Sequence, residues 1–534
     1  MQSHQRWAAI KLIQLPSPML IFVSCLLFFV TTLALIVLRL TRPTARFAWL
    51  VAVGGAMLGF ASVVIWPAQM PFEIALPAWK PLALFVSQVT FHADELSWPL
   101  ALSISALTVG MLLTAVARPV AANSYAWTGT LALSGIGIMA VTADNPLTLL
   151  LVWAALDFTE LAAQLLSVEG ASNNEKVVTS FSTRALGIGF LIWANIISIA
   201  QGGVFNFQSM PANSGIYLII AAGLRLGVFP LHLPYSSDST LRRGFGTSLR
   251  LISAVSSLVL LAHVPIGSNT TFTPLPLAFA LIAGLYGGWM WLRAPDELTG
   301  RPYWIISLAA LSITSALSGN QLGAVAWGCA LILVGGSLFL ASVQQTWLNR
   351  TLLIGAWSLS ALPFSLTASA WLGNLGFFLP FVILAQALLV AGFIRHALRP
   401  SGRDSLETQA GWTRTVYPAG IILLIICQLL LGFIGWNGAL QIGAWLQAII
   451  TSLLTFGLVW ATPRFRILNP IRAHWVKNPA SSRIDGIYDS LWVIYNLFGR
   501  ISQTINTMLE GESGIMWTLL FLIIFISLLT QGIP

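Results

Sequence analysis

Apolar residues run along this chain in blocks of about 20, separated by short stretches that hold most of the prolines and charges, and a helix of that length crosses the hydrocarbon core of a bilayer. The rule predicts roughly sixteen spans, at residues 18–40, 47–66, 98–117, 126–143, 146–167, 178–200, 214–234, 244–264, 273–293, 302–318, 321–343, 351–370, 373–394, 416–436, 439–461 and 513–532. Lipid offers the backbone no hydrogen-bond partners, so unbroken apolar blocks of this length are helices. The expected fold class is all-α, a polytopic membrane protein with about 14–16 transmembrane helices.

Two stretches break the pattern. Residues 67–97 carry Pro67, Pro71, Pro77 and Pro81, a density that opposes a helix, and predict an external loop with room for short strands. Between Ile487 and Met508 the apolar residues Ile487, Leu491, Ile494, Phe498, Ile501, Ile505 and Met508 recur at steps of three and four. That spacing predicts an amphipathic helix lying on the cytoplasmic surface before the last span, either as a lid on its own subunit or as a strut to a neighbour.

Composition agrees with the pattern and excludes several classes. With 57% hydrophobic and 8% charged residues, the chain does not suit a soluble globular domain, in which about a quarter of residues are charged. The net charge of +9 comes from basic residues in alternate loops, among them Arg42, Arg118, Lys176, Arg243, Arg293 and Arg350, which reads as topology signal and not as nucleic-acid binding. The positive-inside rule then puts the basic loops on the cytoplasmic (or matrix or stromal) side and the N-terminus outside, and the expected location is a bacterial inner membrane. Arg6 and Lys11 precede the first apolar block without a cleavage site after it, so no removable signal is expected. Cys25, Cys329 and Cys427 stand singly in apolar blocks and predict buried packing, not a metal or cluster site. No dinucleotide fingerprint or phosphate loop is present, so no cofactor, metal or catalytic centre is expected. Trp66, Trp98, Trp436 and Trp475, near span ends, predict interfacial indoles.

The candidate chemistry lies in the charges inside the spans. Asp157 and Glu160 are three residues apart and share a helix face. Two such carboxylates do not both ionise cheaply unless a cation is near, so they are either a proton or cation acceptor or a structural pair neutralised by Arg184 or Arg225. Arg225 is buried deep in its block, and Pro230 follows, predicting unpaired carbonyls near residue 226 and a broken helix of the kind that lines ion pathways. His232, just beyond, is either a titrating group or a hydrogen-bonded interfacial histidine. Arg250 extends the polar groups into the eighth span, and Arg184, near a span end, is either a counter-charge to those carboxylates or a side chain placed to snorkel.

These residues carry a resemblance. Asn145 to Glu160, Arg225 to His232 and the Arg250 position resemble the antiporter-like subunits of respiratory complex I, shared with Mrp-type cation/proton antiporters and membrane-bound hydrogenases. Asp94-Glu95-Leu96-Ser97 resembles the Asp-x-Leu-Ser sequence before that family's third span, and Asp296-Glu297-Leu298 with Arg301 resembles its Asp-x-Lys-Arg loop. The amphipathic segment with its final span resembles the lateral helix of the longest such subunit. The resemblance covers roughly residues 90–400. It implies two inverted repeats containing broken helices, with the chain divided into N-terminal helices and external loop (1–125), a first repeat (126–264), a second, degenerate repeat (265–436) and C-terminal helices (437–534).

Departures from the family pattern matter as much. Trp153 is followed by Ala154, where the family has glutamate, and the carboxylates come later as Asp157 and Glu160. Arg225 and Arg250 stand where the family has lysine, or lysine or histidine. Nothing titrates near Gly335, where a central lysine is implied, or near Trp371, the implied terminal site. Arginine keeps its charge at any relevant pH and does not relay a proton as a tuned lysine does. The resemblance thus implies a divergent antiporter-like subunit of a complex I-like energy-converting complex, taking part in proton or cation translocation or its coupling through Asp157, Glu160, Arg225, His232 and Arg250. Its implied partners are other membrane subunits, the lipid bilayer and a proton or sodium ion. A non-pumping structural subunit and a stand-alone ion or bicarbonate-uptake subunit are the alternatives.

Overall fold

Most of the apolar blocks within the described residues fold as continuous helices. The computed structural model describes residues 19–42, 47–77, 88–117, 124–165, 171–202, 206–235, 243–265, 273–343, 345–371, 375–399, 406–433 and 445–464, and all of these lie in one compact unit of the chain. The helices are α1 Met19–Thr41, α2 Ala48–Ile65, α3 Ser97–Thr114, α4 Ser124–Val141, α5 Pro146–Leu165, α6 Ala171–Ala200, α7 Gly215–Leu226 and α8 Phe245–Ala262. They continue with α9 Pro274–Arg293, α10 Glu297–Leu317, α11 Gln321–Leu340, α12 Thr346–Leu352, α13 Ile354–Ser358, α14 Leu379–Leu398, α15 Gly411–Phe433 and α16 Trp445–Arg464. Among the described residues ten helices are long and apolar enough to cross a membrane, joined by three shorter apolar ones. The protein is an integral, multi-pass, all-α membrane protein. The predicted amphipathic helix, the last span, Trp436 and Trp475 lie outside the described residues.

The block at 351–370 is not a continuous span. Helices α12 and α13 are short, and the chain then unwinds through turns from Leu359 to Trp371. Unwound backbone at membrane depth must find partners in the protein, and here polar side chains supply them: Gln386 donates to the Leu359 carbonyl at 2.8 Å, and Thr367 Oγ1 donates to the Ser358 carbonyl and accepts from the Ala361 amide. The span predicted at 214–234 is likewise interrupted, its helix ending at Leu226.

Helices α3, α8 and α11 are buried along almost their whole length and form the centre, with α4 and α15 packed on them. Outer helices turn apolar side chains such as Leu33, Leu58, Ile196 and Ile282 outward, as a lipid-facing surface requires. The predicted loop does carry strands. β1 (Phe72–Ala75) pairs antiparallel with β2 (Thr90–Ala93), Glu73 opposite His92, and Phe91 bridges to Ala143 at the α4–α5 corner. Helix direction alternates, so Arg42, Arg243, Arg293, Arg395 and Arg399 fall at the end opposite the hairpin, while Glu73, Asp94 and Asp144 lie at the hairpin end. The three cysteines are free and buried. Trp66 and Trp98 do not face outward: both are buried, the first donating to Ser24 and the second to the Val63 carbonyl. Their indoles serve helix packing.

Candidate functional site

Helix α5 starts where Pro146 follows Asn145, whose side chain accepts from the Thr148 amide at 2.8 Å and so caps the first turn. From there the buried face of α5 runs through Trp153, Leu156, Asp157, Glu160 and Gln164, at steps of three and four. Helix α7 approaches it and stops after Leu226. Gly227 takes φ 77°, a left-handed cap, and a Cβ there would lie 2.3 Å from the His232 carbonyl oxygen. The break therefore comes at Gly227, three residues before Pro230, and leaves Arg225 in the last helical turn, where a cation is favoured by the helix dipole. Beyond the break, Ser180 on α6 donates to the Pro234 carbonyl at 2.5 Å and ties the unwound segment down.

At this junction four charges meet. Arg225 Nη1 and Nη2 lie 2.6 and 2.8 Å from the two Asp157 carboxylate oxygens, a bidentate pair, and Nε donates to Ser257 Oγ at 3.0 Å. Its Cζ sits 4.1 Å from the Trp153 ring centroid, and the Trp153 indole donates to the Ser256 carbonyl at 2.8 Å. Arg184 binds Glu160 directly, donates to Ser253 Oγ at 3.3 Å, and brings Nε to 3.8 Å from Asp157 Oδ1. Glu160 also accepts from Gln164 at 2.6 Å. None of the four charged residues is more than 4% exposed. Two carboxylates and two guanidiniums make the cluster neutral overall, which is what allows four charges to sit at this depth.

Of the residues singled out from sequence, Asp157, Glu160 and Arg225 come together, and both arginines offered as their counter-charges take part. Arg184 does not snorkel; it is buried because Glu160 holds it. Arg250 is buried one turn from Ser253 on α8, its guanidinium 4.3 Å from the Tyr235 ring centroid and outside the quartet. Nearby, Arg301 on α10 donates to Thr247 at 2.8 Å. His232 is half-buried, and its Nδ1 lies 2.8 Å from the Pro230 carbonyl, a local contact. The sequence reading missed Ser253, Ser257 and Tyr235. The stripe Arg250, Ser253, Ser257 at steps of three and four in an apolar block was the signal for the serines.

The second half has a different interior. At Gly335 an added Cβ would stand 2.6 Å from the Trp304 indole nitrogen, so the space of a side chain is filled by the aromatic group of Trp304, Trp291, Phe339 and Phe393. Near the unwound segment the polar groups are neutral amides. Gln386 accepts from the Trp371 indole at 3.0 Å, and Gln428 accepts from Ser358 at 3.1 Å while donating to the Leu333 carbonyl at 3.0 Å.

No family model matches the chain. NADH-ubiquinone oxidoreductase chain 2 of Polypterus ornatipinnis is 26% identical over 146 residues, which are 26% of this chain and 41% of that relative, so the match spans less than half of the relative's length. Among solved structures, a chain of the Mrp complex from Dietzia sp. DQ12-45-1b superposes with a TM-score of 0.68 at 13% identity, over 96% of this chain and 63% of that one. A chain of the membrane-bound sulfane sulfur reductase, an archaeal respiratory membrane complex, does so at 0.63 and 12%, over 96% of this chain and 100% of that one. The polytopic all-α fold expected from the sequence is observed, and it is shared with these two membrane-complex chains.

Proposed function

We propose that the chain is a divergent antiporter-like membrane subunit of a complex I-like energy-converting complex, and that its first half takes part in proton translocation or its coupling. The observation that carries this reading is the neutral quartet of Asp157, Arg225, Glu160 and Arg184, built beside the broken end of α7. Such a cluster is a poor device for stability, because well-packed apolar residues of the same volume hold a helix bundle as well or better. Charges kept within a membrane interior mark ion pathways by default.

Arginine's charge is fixed, so the proton-accepting groups of this reading are Asp157 and Glu160. Arg184 touches both carboxylates. When Glu160 takes a proton, Arg184 is free to shift its full charge onto Asp157, which loosens the hold of Asp157 on Arg225. Protonation of Glu160 thus changes the charge balance at Asp157 and Arg225, and its loss restores it, without either arginine losing a proton. Two inverted repeats, residues 126–264 and a degenerate 265–436, with an outside N-terminus in a bacterial inner membrane, fit this reading; the segregation of arginines away from the hairpin end supports the orientation. Its partners are neighbouring membrane subunits, lipid, and a proton or sodium ion.

A second reading, a non-pumping structural subunit, is favoured by one observation: the second half fills the Gly335 region with Trp304 and uses Gln386 and Gln428 where titrating groups would be needed. Purification of the tagged protein from native membranes in mild detergent, with mass spectrometry of what accompanies it, tests the common premise. Redox or hydrogenase-type subunits are expected. Recovery alone or with a single uptake partner would replace both readings with an independent transporter.

A further inference from the structure

A second set of titratable groups lies at the hairpin end of the same half, about 20 Å along α5 from Asp157 at 1.5 Å per residue. His92 on β2 brings Nδ1 to 4.0 Å from Asp144 Oδ1, and Asn206 donates to Asp144 Oδ2 at 3.2 Å. Three pieces of chain meet at this carboxylate. The hairpin reaches it through the His92 amide donating to the Thr142 carbonyl at 2.7 Å and the Asp144 amide donating to the Thr90 carbonyl at 3.2 Å. Asn145 fastens the same corner, donating to Thr90 Oγ1 at 2.6 Å and to the Gln88 carbonyl at 2.8 Å. The segment before α7 arrives with Asn206 and with Phe207, whose ring stacks on His263 at the end of α8 at 4.6 Å.

We propose that His92 and Asp144 form a proton-binding latch that clamps the β-hairpin onto the α4–α5 corner, taking its proton from the compartment the hairpin faces. The surroundings give the latch its sign. Glu73 lies directly across the ladder from His92, and Asp94 follows two residues later, so carboxylates face the imidazole from both strands. Asp144 adds a third carboxylate beside the ring. His263, the other imidazole near the site, is held to its neutral form by burial first, against the pull of Asp94 and with the opposition of His92. A proton on His92 therefore converts a neutral imidazole beside Asp144 into an ion pair, and the four backbone and side-chain bonds of the corner tighten together. At high pH the pair is absent and the hairpin is held by its backbone bonds and by Asn145. This latch goes beyond the translocation reading and stands without it.

Hydrogen exchange of the full-length protein in lipid nanodiscs tests it. After correction for intrinsic exchange, protection of residues 88–94 and 142–148 is expected to rise about three- to fivefold from pH 8 to pH 6, the scale of a partly exposed ion pair. His92→Gln and Asp144→Asn, which keep hydrogen-bonding capacity, are each expected to abolish that rise, and His263→Gln to leave it in place. A flat wild-type profile, or an unchanged rise in either latch variant, overturns the proposal. So does loss of the rise in His263→Gln while His92→Gln retains it.

Discussion

Arg225 grips Asp157 through two hydrogen bonds of 2.6 and 2.8 Å, inside a region where neither side chain reaches water. The pair joins α7 to α5 at the point where α7 ends, so a change at either residue acts on both the broken helix and the charge balance of its neighbours.

Removing one partner leaves the other buried and unmatched. Arg225→Met and Asp157→Leu are each expected to destabilise the protein by about 3–5 kcal/mol, whereas the double replacement costs far less and is close to neutral. Thermal unfolding in detergent of the two single variants and the double variant checks this; additive losses would mean that the pair is not coupled.

The break in α7 depends on Gly227. Gly227→Ala must adopt φ 77° and move the His232 carbonyl that its Cβ would meet at 2.3 Å, an expected loss of about 1–3 kcal/mol. Pro230→Ala, which lies past the helix end, is expected to cost less than Gly227→Ala. The reverse order would mean that proline ends the helix.

In the second half, Gly335→Ala is expected to destabilise by about 1–3 kcal/mol because Trp304 occupies the space, and Gly335→Ala with Trp304→Phe to recover part of the loss. Stability of the single variant equal to wild type would show that the aromatic packing yields easily. A lysine at residue 335 is expected to fold worse than alanine.

At the hairpin end, burial raises the Asp144 carboxyl above the usual range, opposed by His92 and reinforced by Glu73 and Asp94, with Asn206 opposing as well. A carboxyl whose pKa is higher in the folded chain binds its proton more firmly there. Its contribution is fully present below the unfolded value of about 3.9 and is lost as pH rises through the folded one. The wild type is thus expected to lose stability relative to Asp144→Asn as pH rises above the unfolded value. Melting curves of the two proteins over that range check the sign; a difference that grows in the wild type's favour would contradict it.

Apolar blocks made most of the bundle legible, because in lipid a block of that length has a single stable backbone solution. The strands near Pro71 were legible as an exclusion of helix. The unwinding between Leu359 and Trp371 was not: the stretch is as apolar as its neighbours, and the partner for its freed Leu359 carbonyl, Gln386, lies on α14. Asp157 with Arg225 could be read from charge alone, since both needed a partner. Arg184 was legible as a counter-charge to the carboxylates but not as a buried side chain, because closeness to a span end says nothing of Glu160 one helix away. The filling of Gly335 by Trp304 had no local signal, as the two residues are 31 positions apart in sequence.

The central claim is that the quartet takes part in moving charge, and the most direct test is the number of protons translocated per turnover by the purified complex in proteoliposomes, wild type against Glu160→Gln. The account predicts that the variant complex assembles and turns over but moves fewer protons per cycle. Full stoichiometry in an assembled Glu160→Gln complex, repeated in Asp157→Asn, would contradict it and leave the quartet a structural feature of a non-pumping subunit.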